Sequence, residues 1–136
     1  MKFATYLFFE GNCEEAFRYY NKVFGGEITA MIPHEGSPAE AHVPPEWKSK
    51  IMHACLEVDG AMLMASDSPP AQSSKPGGYS VSVNIDDPQE AERVFAALAD
   101  GGETSMPMAE TFWAQRFGMC KDRFGTPWMV NCAPAA

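Results

Sequence analysis

The chain has 136 residues, of which 46% are hydrophobic and 21% are charged, and its formal net charge is −8. This length and apolar content predict one globular domain over residues 1–136. Because an acidic chain without a basic cluster repels a phosphate backbone, the composition excludes nucleic acid as a partner. The N-terminal apolar run is too short for a secretory signal, and no stretch reaches the roughly 20 apolar residues of a membrane span. We therefore expect a cytoplasmic protein that does not enter membranes.

The first half of the chain has the pattern of a strand, a helix and three further strands. The helix is predicted to begin after Asn12, a typical N-cap with Glu15 three residues on, and to end at Gly25-Gly26. Asp59-Gly60 predicts a hairpin turn between the last two strands. Strands are predicted at 3–9, 27–32, 50–58 and 61–66.

The second half repeats that order after a Pro-, Ser- and Gly-rich linker at 68–78. Asp87 is the predicted cap of the second helix, Pro88 suits its first position, and Gly101-Gly102 end it. The strands of this half are predicted at 79–85, 103–108, 112–120 and 126–132.

A sequence echo links the two halves. Residues 14–18 read EEAFR and residues 89–93 read QEAER, and each is followed at nearly the same distance by GGE. The echo indicates one βαβββ module used twice, with module one at 1–67 and module two at 79–132. Since roughly 65 residues give only a marginal core, we expect the two modules to form a single pseudo-symmetric α+β domain.

The cysteines and two of the three histidines carry no metal-binding pattern. Cys13, Cys55, Cys120 and Cys132 are scattered without ligand spacing, so we expect reduced, half-buried side chains. His34 and His42 lie in a Pro-rich segment between strands and are expected to be exposed loop residues.

Three phrases, YLFFEGNCEEAFRYYNKVFGGE, KIMHACLEVDGAMLMASD and RFGMCKDRFGTPWMVN, resemble the vicinal oxygen chelate superfamily, the glyoxalase and bleomycin-resistance fold, in its PhnB-like branch. The resemblance covers residues 3–132. It implies a cupped mixed sheet with helices on the convex side and a cavity on the concave side, commonly completed in a homodimer. It leaves the chemistry open, because the superfamily includes isomerases, dioxygenases, thiol transferases and non-catalytic drug-binding proteins.

The resemblance also places the metal ligands of metal-dependent members on the first and last strands of each module, usually as His and Glu. In module two, Ser80 and Met129 occupy these positions. In module one they fall on Ala4 or Thr5, and near Met64, Ser66 or Asp67. Asp67 is the one plausible ligand among them, whereas zinc needs about three or four protein donors. We therefore predict no metal site and no cofactor.

Strand alternation predicts which side chains line the cavity. In 50–58, one face is uniformly apolar and suits the helix, while Ile51, His53, Cys55 and Glu57 share the other. Ser80 and Ser82 lie on the polar face of 79–85. The predicted cavity wall comprises Tyr6, Phe8, His53, Ser80, Ser82, Trp113, Phe117 and Met129.

Several of these residues also fit a structural role. Phe8 and Phe117 suit a packed core as well as a pocket wall, and His53 is either a structural or a functional histidine. A histidine beside Glu57 on one strand face is a candidate general base near neutral pH.

Two functions from different classes follow. The first is a metal-free small-molecule binding protein of the drug-sequestering kind. The second is a glyoxalase-like enzyme, a lyase, isomerase or thiol transferase, either metal-free with His53 as base or with a metal at shifted positions. PhnB-like domains are sometimes described as ubiquinone-pathway methyltransferases, but no Gly-rich loop follows the first strand, so the sequence disfavours an adenosyl cofactor.

Overall fold

The computed structural model describes residues 1–69 and 75–134. The chain divides into two compact units, residues 1–74 and 75–136, and among the described residues each unit contains one α-helix and four strands. Residues 70–74, which belong to the predicted linker at 68–78, lie outside the described residues. Within the described ranges no helix is long and apolar enough to cross a membrane.

Unit 1 has the predicted βαβββ order. Its elements are β1 (Thr5–Phe9), α1 (Cys13–Phe24), β2 (Glu27–Pro33), β3 (Ile51–Val58) and β4 (Ala61–Asp67). They form a mixed sheet of order β1-β4-β3-β2, in which β1 runs parallel to β4 and the other pairs are antiparallel. The predicted hairpin turn between β3 and β4 is confirmed, because Asp59 and Gly60 both have positive φ.

Unit 2 repeats the order and the sheet. Its elements are β5 (Val81–Asn84), α2 (Pro88–Ala99), β6 (Glu103–Ala109), β7 (Arg116–Lys121) and β8 (Pro127–Cys132). The sheet order is β5-β8-β7-β6, with the parallel pair again at one end. The prediction of an α+β fold built from two βαβββ modules is confirmed.

Two strands of unit 2 are shorter than predicted. β5 covers Val81–Asn84, so Ser80 precedes it, and the strand predicted at 112–120 begins only at Arg116. The late start of β7 is explained by a turn at Thr111, whose hydroxyl accepts hydrogen bonds from the backbone N–H groups of Trp113 (3.3 Å) and Ala114 (3.1 Å). Such local side-chain to backbone bonds compete with strand pairing.

Each helix packs on one side of its own sheet. Phe17 of α1 meets Phe9 of β1 edge to face, with ring centroids 6.4 Å apart. Gly118 of β7 lies against Phe95 of α2. Burying a large apolar side chain contributes about 1.5–3 kcal/mol, so these contacts are the main stabilising layer of each unit. We call the opposite side of each sheet its distal face.

The helix α1 begins directly after Asn12, as predicted, but the Asn12 side chain does not cap it. The Oδ1 atom of Asp67, at the end of β4, accepts instead from the backbone N–H groups of Gly11 (2.8 Å) and Cys13 (3.0 Å), and its Oδ2 atom accepts from that of Ile51 (2.9 Å). This buried carboxylate joins the start of α1 to the start of β3. At α2, by contrast, Asp87 caps as predicted, accepting from the Gln89 N–H at 3.2 Å.

The GGE echo has a steric cause. Gly25 ends α1 in the left-handed conformation, with φ 72°. The second glycine of each pair lies against the neighbouring strand, since a Cβ atom on Gly26 would overlap the Glu57 carbonyl oxygen and one on Gly102 would overlap that of Lys121. Both modules therefore need a residue without a side chain where the chain passes from helix to strand.

All four cysteines are free and buried, more deeply than the half-buried state expected from the sequence. Burial, with the neighbouring Asp67 and Glu14 carboxylates, raises the pKa of Cys13 to about 12. Burial and then Asp122 raise the pKa of Cys120 to about 11. These two thiols are poor nucleophiles at neutral pH, because the thiolate is the reactive form.

The expectation of an exposed His34 is also wrong. His34 is buried, its Nδ1 atom lies 2.8 Å from the Lys50 carbonyl oxygen, and its backbone N–H donates to the same oxygen. This histidine fastens the long β2–β3 connection to the start of β3. His42 is exposed, as predicted.

The substitution Asp67→Asn tests the role of the buried carboxylate. An amide in its place turns one acceptor into a donor that faces a backbone N–H, so we expect a loss of about 2–3 kcal/mol in the free energy of unfolding, measured in urea. The matched control is Asp59→Asn in the hairpin turn, where asparagine tolerates positive φ. Equal stabilities of the two variants would contradict the assignment.

A second prediction concerns the repeated glycines. Gly26→Ala and Gly102→Ala should each lower the free energy of unfolding by about 1–3 kcal/mol, because the added methyl group collides with backbone. Gly77→Ala is the control, since nothing lies within 4 Å of its Cβ position. Chemical denaturation of the three variants measures the difference, and a neutral Gly102→Ala would refute the steric account of the echo.

Candidate functional site

The distal face of unit 1 brings together three of the predicted site residues. Tyr6 and Phe8 project from β1 on this face, and their ring centroids lie 5.2 Å apart. The Tyr6 ring stacks on His53 of β3 at 5.9 Å, and its hydroxyl hydrogen-bonds with His53 Nδ1 at 3.3 Å. We call Tyr6, Phe8 and His53 the aromatic cluster.

Two rings of this cluster are partly open to solvent. Phe8 is 58% exposed and Tyr6 is 38% exposed, although both lie in the middle of a sheet strand. Scattered exposed apolar residues are normal on protein surfaces, whereas a contiguous group marks a site of interaction. The cluster therefore has the composition of a ligand site, aromatic surface with one polar group that can fix an orientation.

Glu57 does not form a pair with His53. The two residues are four apart on β3, a separation of about 13 Å along a strand, and the Glu57 side chain is exposed. The polar partner that the structure gives to His53 is the Tyr6 hydroxyl, which the spacing of residues along one strand did not predict.

The distal face of unit 2 carries a row of residues in register across all four strands. Ser82 of β5 is paired with Met129 of β8, Met129 with Met119 of β7, and Met119 with Met106 of β6. Ser82 and Met129 were predicted site residues. Ser80 precedes β5 and is half-buried.

Trp113 and Phe117, also predicted, meet through the turn that precedes β7. Their ring centroids lie 5.3 Å apart at 69°, and Phe112 contacts Trp113 at 4.8 Å. Trp113 is 45% exposed, whereas Phe117 is buried in β7. The turn thus exposes the rings of Phe112 and Trp113 to solvent, and Trp113 packs against the buried Phe117.

A polar pair that the sequence did not predict lies beside Met129, Met119 and Met106, which we call the methionine row. Asn131 of β8 donates from Nδ2 to Oδ1 of Asn84 on β5 at 3.2 Å. Its own Oδ1 atom is buried and has no hydrogen-bond partner within the described parts of the chain. Asn84 is in phase with Ser82 on β5, and Asn131 is in phase with Met129 on β8.

The residues present do not fit the metal of the superfamily. Asp67, the one plausible ligand, is buried with three backbone N–H groups on its two oxygens. Ser80 offers a neutral hydroxyl and Met129 a thioether, in place of the usual imidazole and carboxylate. Within residues 1–69 and 75–134, no group of three or more His, Cys, Asp or Glu side chains could hold a metal ion.

Comparison with known proteins identifies relatives over nearly the whole chain. Residues 1–131 match the family described as 3-demethylubiquinone-9 3-methyltransferase. Protein YjdN of Escherichia coli is 33% identical over 139 residues, which cover 96% of this chain and 95% of YjdN.

Solved structures give the same picture. Protein PA1353 from Pseudomonas aeruginosa is 50% identical with a TM-score of 0.89, and 98% of each chain is covered. The PhnB protein from Bacillus cereus is 27% identical with a TM-score of 0.81, over 98% of this chain and all of that one. A glyoxalase-related enzyme from Fulvimarina pelagi, at 17% identity and a TM-score of 0.65 over 98% and 90% of the two chains, shares the fold alone.

The resemblance seen in the sequence is therefore confirmed for family and fold. The chain belongs to the family described as 3-demethylubiquinone-9 3-methyltransferase, the PhnB-like branch of the vicinal oxygen chelate superfamily.

Proposed function

We propose that this protein binds a small organic molecule on the distal faces of its sheets, without the metal used elsewhere in the superfamily. The observation that carries the proposal is the aromatic cluster, in which the exposed Tyr6 ring contacts both the exposed Phe8 ring and the hydrogen-bonded His53. An aromatic surface with a few placed polar groups is the usual composition of a small-molecule site. In unit 2 we propose Ser80, Ser82, Trp113, Phe117 and Met129 as binding residues, and the concave cavity implied by the family resemblance stays a prediction.

The family description names methyl transfer, but the chain's own residues disfavour it. The connection between β1 and α1 is three residues long and has a single glycine, Gly11. The N–H groups of Gly11 and Cys13 at the start of α1 donate to Asp67 and are therefore not available to a bound cofactor. We therefore propose no adenosyl cofactor.

A metal-free enzyme of the glyoxalase-like type is the second candidate, and the Tyr6–His53 contact favours it. A histidine held by a tyrosine hydroxyl at 3.3 Å can exchange a proton with a bound substrate. Under this alternative, His53→Gln abolishes turnover while a bound molecule is retained. Under the binding function, His53→Gln changes affinity alone.

We further propose a cytoplasmic homodimer. β2 is an edge strand of the unit 1 sheet, and β6 is an edge strand of the unit 2 sheet. Exposed strand edges are normally covered or blunted in native proteins. Light scattering at micromolar concentration measures the state, and a monomer would contradict the proposal.

The binding proposal predicts the effect of Phe8→Ser. Because Phe8 is largely exposed, its removal should leave the melting temperature nearly unchanged but weaken binding of the neutral apolar dye Nile red by about tenfold, equivalent to one lost aromatic contact. The matched control is Phe3→Ser, the same change at a residue that is 97% exposed and precedes β1. Fluorescence titration measures both affinities.

Two outcomes would count against the proposal. Wild-type protein that does not bind Nile red lacks the apolar site. Equal losses for Phe8→Ser and Phe3→Ser would show that the dye adheres to any exposed phenylalanine.

Because the Asp67 carboxylate accepts three backbone hydrogen bonds within the fold, we predict that the protein binds no stoichiometric metal. Purified protein should contain well under one equivalent of zinc, nickel or iron per chain, and dialysis against EDTA should not move its melting temperature. Elemental analysis and calorimetry measure the two quantities. One equivalent of metal, whose removal lowers the melting temperature, would overturn the metal-free account.

A further inference from the structure

An unpaired acceptor lies on the distal face of unit 2. The Oδ1 atom of Asn131 is buried without a hydrogen-bond partner within the described ranges, while its Nδ2 atom donates to Asn84. A buried polar atom without a partner is destabilising, and native structures contain few of them. Because Asn131 lies on the distal face, this atom can accept a hydrogen bond from a molecule bound there.

The surroundings of this acceptor are apolar and adaptable. Asn131 is paired in register with Phe117, and the next row on the same face contains Met129, Met119 and Met106. Methionine side chains are unbranched and polarizable, so they can move aside and repack around an apolar guest. A molecule that donates to Asn131 Oδ1 can place its apolar part against Phe117 and these methionine side chains.

The net charge of the chain disfavours an anionic guest. The formal net charge is −8. Each of the four arginines forms an ion pair within its own unit, with Glu14, Glu90, Glu92 or Asp100. An anion would meet an unfavourable net field and no unpaired guanidinium, with the exposed Lys121 as the cation on the same face of β7 as Met119. A neutral or cationic molecule meets no such barrier.

From these three observations we infer the chemical class of the ligand. It is an apolar molecule without negative charge, whose hydroxyl, amide or amine group donates a hydrogen bond to Asn131 Oδ1 while its apolar part lies on the methionine row. This inference rests on the proposed function and adds the residue that selects the ligand.

Three naphthalene probes test the inference on the full chain. 2-Naphthol has a donor, 2-methoxynaphthalene has the same ring without a donor, and 2-naphthoate is an anion. By amide chemical-shift titration we expect wild-type protein to bind 2-naphthol about fivefold more tightly than 2-methoxynaphthalene, the effect of one hydrogen bond, and to bind 2-naphthoate most weakly.

Variants then locate the acceptor. Asn131→Leu should bind 2-naphthol and 2-methoxynaphthalene equally, with a melting temperature no lower than wild type, because the unpaired acceptor is gone. Asn131→Asp retains acceptor oxygens and should keep the preference for 2-naphthol. This variant still tests the inference if Asn131→Leu folds poorly. Asn21→Leu is the matched control, since Asn21 Oδ1 is likewise buried without a partner among the described residues but lies on α1. It should leave the preference intact.

The failures are distinguishable. Equal wild-type affinity for 2-naphthol and 2-methoxynaphthalene, a preference that survives Asn131→Leu or one that disappears in Asn131→Asp overturns the inference and leaves the binding function standing. Tightest binding of 2-naphthoate overturns the charge argument. Failure of wild-type protein to bind any of the three overturns the proposed function itself.

Discussion

The structure of unit 1 depends on one buried carboxylate. Asp67 ends the last strand of the module, and its two oxygens hold the β1–α1 connection, the start of α1 and the start of β3. Hydrogen bonds to an ionised acceptor are among the stronger ones in proteins, and removal of the acceptor leaves three buried donors unsatisfied. The one carboxylate that the family resemblance offered as a metal ligand is thus committed to the fold, and the proposed chemistry of the site becomes the chemistry of aromatic rings, thioethers and amides.

The two units share a backbone plan but use different polar anchors. Gly26 and Gly102 perform the same steric task at equivalent positions. In unit 2, however, the buried carboxylate is Asp122, which accepts from the N–H groups of Phe124 and Thr126 and from the Trp128 indole at 2.8 Å. The two units therefore have the same strand order but different buried carboxylates, and the side chains on their distal faces also differ. One face carries a tyrosine–histidine contact and the other a methionine row with an asparagine pair.

The sequence predicted what is local and periodic. Both helices, the order of strands and the Asp59-Gly60 turn follow from caps, alternation and turn chemistry within a few residues. The Asp67 cap could not be predicted this way, because its donors lie 54 and 56 residues away in the sequence. Alternation placed Tyr6 and His53 on the distal face, but their hydrogen bond depends on the register of β1, β4 and β3. The Thr111 turn replaced the start of a predicted strand, since one hydroxyl offered the backbone a local alternative.

The central claim, that ligand binds on the distal faces, is tested most directly with 13C-methyl-labelled methionine, because the methionines divide between the two sides of each sheet. Met64, Met119 and Met129 lie on distal faces, in register with Tyr6 or with one another. Met31 is paired with the buried Ala54 on the side of α1, and Met108 lies against Gly118 on the side of α2. Titration with 2-naphthol should shift methyl resonances of distal methionines such as Met119 and Met129 and leave those of Met31 and Met108 in place. Shifts at Met31 and Met108, with the distal methyl groups unchanged, would contradict the account.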